Sequence, residues 1–244
     1  SICFGYTDND KYTYNKYCSN YKMSEIACIY IADYLNNFDI EGNIVFQNGI
    51  ITNTNKGRNF WWDNGGGTGP AAQNPRIVNN YMYYSKNHPS GVGSLFLLSQ
   101  SAKGVVTGNY FMRGVMQVTG QGGSTNLNLS NNTILADSLA GFSQSSYPNN
   151  SYLLSEPSQN LIVVRPNQYD ANRANIVIYN WQKLNTVNVD VMSLGWVAGT
   201  TYELRNTQDY FNDKITGTYN GGNTISVSMT GRTVAQPIGM ATPA

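Results

Sequence analysis

The sequence predicts an all-β chain, a right-handed parallel β-helix followed by a small antiparallel β-sandwich. Three observations predict it: a composition poor in helix formers, a four-fold repeat of asparagine corners, and a C-terminal series of short alternating segments. Among 244 residues asparagine is the commonest, beside 24 Gly and 18 Tyr, while Leu, Lys and Glu are scarce. Turn and strand formers thus replace helix formers. With 41% hydrophobic and 12% charged residues there is enough apolar material for a core, which excludes disorder. Lys and Arg number 15 against 14 Asp and Glu, so no net field draws nucleic acid or an anionic membrane. No apolar run reaches the ~18 residues a membrane span needs. The chain is expected to be soluble, and either processed or beginning partway through a longer gene product.

The repeat carries the architecture. Four segments share an apolar residue, a spacer, Gly or Asn, then Asn, one residue and another apolar residue: Ile40 to Val45, Ile77 to Met82, Val106 to Phe111 and Leu129 to Ile134. Their asparagines, Asn43, Asn80, Asn109 and Asn132, are 37, 29 and 23 residues apart. A short β run precedes each: Ile29 to Ile31, Phe60 to Trp62, Leu95 to Leu97 and Met116 to Val118. One such unit cannot bury its apolar face alone, but units stacked in parallel at about 4.8 Å form a continuous core. The corner asparagines then make a ladder of side-chain amides, and the Gly or Asn before each supplies the left-handed backbone of the corner. On this reading residues 26–168 are the parallel β-helix and 169–244 the sandwich, with 1–25 an irregular segment or the end of further coils.

Strands are expected at 175–180, 186–191, 201–206, 214–219 and 224–229, broken by Gly199, Gly217 and Gly221-Gly222. The stretches Leu161 to Tyr169, Arg173 to Trp181, Val187 to Asp190 and Tyr202 to Phe211 are similar to the C-terminal end of bacterial right-handed parallel β-helix repeat-containing proteins. That resemblance, to a pectin-lyase-like fold with a C-terminal β-sandwich, covers roughly residues 26 to 238, specifically in the C-terminal third and loosely in the coils. It implies fold far more than activity, because the family includes lyases, hydrolases and adhesins. The acidic calcium-binding cluster of pectin-lyase relatives and the paired-Asp motif of pectin hydrolases are both missing from this chain.

Low charge with abundant Asn, Tyr, Ser and Thr suits an extracellular or cell-surface protein that meets sugars. Asn128, Asn131 and Asn149 open Asn-x-Ser/Thr sequons, which matter only in a glycosylating host. Cys3, Cys18 and Cys28 permit one bridge and leave one thiol; Cys3 with Cys18 is the expected pair. No Cys/His spacing suits a metal, and no cofactor is expected.

Alternation places Tyr30, Trp61 and Phe96 on the outer face if Ile29, Phe60, Leu95 and Met116 point inward. Such an aromatic column suits the CH faces of a polysaccharide; the alternative is that the Gly65 to Pro75 loop covers the tryptophans. Asp33 and Asp63 follow the column, and in neighbouring coils they would lie near the ~5 Å separation of retaining glycosidases. The alternative is that they are turn carboxylates capping backbone amides, because Asp is a common turn residue. Arg58 and Arg113 are candidate glycan contacts. For a lyase, a base and a charge neutraliser must come from groups such as Lys56, Arg76, Lys86 and His88. The reading chosen is a protein that binds or processes a polysaccharide, a lyase or glycoside hydrolase if it is an enzyme. The competing one is a non-catalytic structural or adhesive module that self-associates or stacks on a further β-helix portion at its N-terminal end.

Overall fold

The computed structural model describes residues 26–32, 39–46, 57–63, 75–83, 94–99, 104–119, 127–167 and 169–233. It is nearly all β, with both parallel and antiparallel sheets, and two short 3-10 turns, Gln144–Ser146 and Met192–Leu194, are the helical elements among these residues. Among the described residues, no helix is long and apolar enough to cross a membrane. The chain divides into two compact units, with a boundary between Ser155 and Glu156.

The first unit goes round three parallel sheets in rotation. One round is β1 (Ile26–Ala32), β2 (Asp39–Glu41) and β3 (Ile44–Phe46). The next is β4 (Gly57–Asp63), β5 (Arg76–Val78) and β6 (Tyr81–Tyr83). A third is β7 (Ser94–Ser99), β8 (Val105–Thr107) and β9 (Tyr110–Met112). The fourth is β10 (Val115–Thr119), β11 (Asn128–Ser130) and β12 (Thr133–Leu135), followed by β13 (Ser138–Ala140) and β14 (Ser151–Tyr152). The sheets run β1-β4-β7-β10-β13, β2-β5-β8-β11 and β3-β6-β9-β12-β14. Like positions therefore stack on like: Ile40, Ile77, Val106 and Leu129 make one row, and Val45, Met82, Phe111 and Ile134 another. All eight are at most 6% exposed. Each such side chain contributes about 1.5 to 3 kcal/mol by leaving water, and none could do so without the neighbouring round.

The second unit is antiparallel. Its strands are β15 (Leu161–Pro166), β16 (Ala174–Tyr179), β17 (Thr186–Asp190), β18 (Thr201–Arg205), β19 (Lys214–Thr218) and β20 (Thr224–Ser228). They pair as β15 with β16, β17 with β20 and β18 with β19. Alternation buries Val187, Val189, Ile225 and Val227 and leaves their neighbours in water. Val191 and Tyr219 complete that core, and Trp196 stacks on Tyr202 at 5.4 Å and meets Tyr219 edge-on at 5.9 Å. Tyr202 pairs across strands with Gly217, where a Cβ would strike the phenol ring. Glycine there makes room for the aromatic that covers it. Leu161–Pro166, which the sequence reading assigns to the β-helix, belongs to this unit because it pairs antiparallel with Ala174–Tyr179.

Candidate functional site

At the corner between the second and third sheets, the asparagine amides form a continuous chain. The side-chain oxygen of Asn80 accepts from the backbone N–H of Asn43 at 2.9 Å and from its amide at 3.0 Å. Asn109 accepts in the same way from Asn80 (2.8 and 2.9 Å), and Asn132 from Asn109 (2.9 and 2.8 Å). Each amide nitrogen also donates to a carbonyl of the previous round: Asn80 to Ile40, Asn109 to Ile77 and Asn132 to Val106, all at 2.9 Å. Asparagine suits this position because one short side chain both donates and accepts; aspartate would lose the donors. The residue before each is left-handed, Gly42 at φ 69°, Asn79 at 55°, Gly108 at 67° and Asn131 at 56°. Only glycine and asparagine adopt that region readily.

A fifth rung escapes the sequence reading. Asn150 accepts from Asn132 at 3.0 and 2.8 Å and donates to Leu129 and Tyr147 carbonyls. The signal is present in Tyr147-Pro148-Asn149-Asn150-Ser151-Tyr152, which keeps the corner pattern with tyrosines in the apolar places. The Tyr152 hydroxyl donates to the Tyr147 carbonyl, and burial pushes that phenol above its ordinary pKa.

Tyr30, Trp61 and Phe96, the expected aromatic column, all lie on the first sheet but do not share one row. Tyr30 and Trp61 are register partners, whereas Trp61 continues to Leu97 and Gln117. Phe96 falls in the adjacent row, with Ile29, Phe60 and Met116. Phe60 and Met116 are fully buried. The alignment of Leu95 with Phe60 is one residue off: β4 and β7 pair without a shift, Arg58 with Ser94, Phe60 with Phe96 and Trp61 with Leu97. A one-residue slip exchanges the two faces of a strand, so Phe96 is not in the row of Tyr30 and Trp61.

Asp63 ends β4 opposite Ala32, and Arg58 pairs with Ala27. Asp33, Cys3 and Cys18 lie outside the described residues, as do His88 and the Gly65 to Asn74 stretch. Arg113 occupies the turn between β9 and β10 with a left-handed φ of 67°, its side chain only 15% exposed and 3.5 Å from Asp137. Asp137 also accepts from the Gly114 N–H at 2.8 Å, so this pair closes a corner and leaves little guanidinium surface for a ligand. Arg76 bridges Asp39 at 2.9 Å and Glu41 at 2.7 Å on the exposed face of the second sheet. No group of three or more His, Cys, Asp or Glu side chains among the described residues is placed to hold a metal.

The second unit carries an exposed aromatic pair that the expected site residues do not include. In the loop between β18 and β19, Tyr210 and Phe211 are 43% and 76% exposed with rings 5.5 Å apart at 88°, and the Arg205 guanidinium lies 4.8 Å over the Tyr210 ring. Two adjacent aromatics in an Asn- and Asp-rich loop are the signal that could have found it. Comparison with protein-family models, curated proteins and solved structures finds no match to this chain.

Proposed function

We propose that this chain is a right-handed parallel β-helix with a C-terminal β-sandwich that acts outside the cell by holding an extended polysaccharide. The observation that supports this reading is the register of Tyr30 with Trp61 in neighbouring strands of the first sheet, one step from the row of buried Phe60. Strands about 4.8 Å apart would offer an aromatic pair on which consecutive sugar rings can lie. The role proposed is binding, with any hydrolysis left to Asp33 and Asp63. Titrating the chain with neutral and acidic polysaccharides should shift tryptophan fluorescence, and Trp61→Ala should remove the shift. A shift that persists in that variant, or no response to any glycan, contradicts the reading.

A structural or adhesive module of a cell surface or fibre is the second reading. It is favoured by Asn43, the first described rung, whose side-chain oxygen has no donor among the described residues, while Asn80, Asn109, Asn132 and Asn150 each accept from the round before. A further coil, from this chain or another, would supply that donor. Concentration-dependent association in sedimentation, weakened by Asn43→Ala, is the expected result; a monomer at all concentrations removes self-stacking.

A further inference from the structure

We propose that the loop between β18 and β19 is a second, independent binding platform, specific for a neutral oligosaccharide. Phe211 stacks on a pyranose CH face, Tyr210 closes the edge of that sugar, and Glu203 and Arg205 hydrogen-bond the ring hydroxyls.

The loop is firmly built. Asn206 N–H donates to the Asp213 carbonyl at 3.0 Å and Asp213 N–H to the Asp209 carbonyl at 3.0 Å. The Asn206 side chain accepts from Gln208 N–H at 3.1 Å and donates to the Asp213 carboxylate at 2.8 Å. That carboxylate, on a residue 8% exposed, also accepts from Thr233 N–H at 2.8 Å and from Arg232 at 2.6 Å. So many bonds fix a loop whose own aromatic rings stay in water. Two adjacent rings on a loop so fixed bind at a reduced ordering cost.

The occupant follows from size and charge. Each ring offers at most ~250 Å², so the pair falls well short of the ~800 Å² per partner of a stable protein interface. It does match one or two sugar rings. Arg205 is ion-paired with Glu203 and lies against Tyr210, so its charge is already engaged and the patch has no bias toward an anionic ligand. The Arg205 guanidinium over Tyr210 and the Glu203 carboxylate paired with it are the donors and acceptors that hydroxyls require. The right angle between the rings lets one lie under a sugar while the other closes its edge.

The test is isothermal titration of the full chain with cellohexaose, mannohexaose and tetragalacturonate. At least one neutral hexasaccharide should bind, Phe211→Ala should weaken it at least about 10-fold without changing Tm, and Phe211→Trp should restore it. Trp61→Ala should leave this binding intact, which separates the platform from the first-sheet site. The proposal is overturned if Phe211→Ala binds normally, if none of the three probes binds, if tetragalacturonate binds more tightly than both neutral probes, or if Trp61→Ala alone abolishes binding. It is equally overturned if the wild-type chain self-associates in sedimentation and Phe211→Ala abolishes that association.

Discussion

In the first unit Asn80, Asn109 and Asn132 lie in the core at no more than 2% exposure, whereas the core of the second is valine, isoleucine and tyrosine, with Asp213 its buried charged residue among those described. The difference follows from strand direction. Parallel rounds stack nearly equivalent apolar rows on one another, so an apolar row alone discriminates weakly between registers. Directional amide bonds at one corner supply the discrimination. In the antiparallel unit, strict alternation on β17 and β20 already exposes the wrong face if the register slips.

That contrast can be broken at its strongest point. Asn109→Ala removes the acceptor for Asn80 and the donor to Asn132 and Ile77 at once, and should cost about 3 kcal/mol in urea denaturation, because several buried partners lose their bonds together. In the second unit, Gly217→Ala should cost about 1 to 2 kcal/mol by displacing the Tyr202 ring, a packing effect with no polar component. Asn43→Ala, at the part-buried end of the ladder, should cost about 1 kcal/mol or less. Equal losses at Asn43 and Asn109 would mean that burial does not govern the ladder.

The smallest effect is a pH dependence confined to the second unit. The Asn206 amide, the Thr233 N–H and Arg232 together hold the Asp213 carboxyl below the ordinary aspartate pKa, against the opposing effect of burial. A lowered folded-state value stabilises above the unfolded pKa of about 3.9, and that contribution is lost as pH falls through the folded value. The Asn206 and Thr233 amide resonances should therefore stay constant from pH 7 to about 5 and move only in stronger acid. In Asp213→Asn that acid limb should vanish.

Much of this architecture is written locally. The corner asparagines stand out because a left-handed Gly or Asn followed by Asn is rare outside such turns, and the alternation at 186–190 and 224–228 fixes those strands. Asn150 is harder to see because its spacing shortens to 18 residues and tyrosines replace aliphatic residues beside it. Phe96 could not be placed, since Leu95 and Phe96 are both apolar and the sequence does not show which of them aligns with Phe60. Leu161–Pro166 reads alike as a parallel or an antiparallel strand, because a continuous apolar run carries no direction. The Tyr210 and Phe211 platform depends on contacts among Arg205, Asn206, Asp213 and Arg232, which only the folded loop brings together.

The most direct measurement is hydrogen exchange of the asparagine side-chain amides by NMR. With the ladder as described, the amide protons of Asn80, Asn109 and Asn132 outlast those of exposed Asn212 by orders of magnitude and exchange at the pace of the neighbouring backbone core. Side-chain protons on those three residues that exchange as fast as those of Asn212 would contradict it.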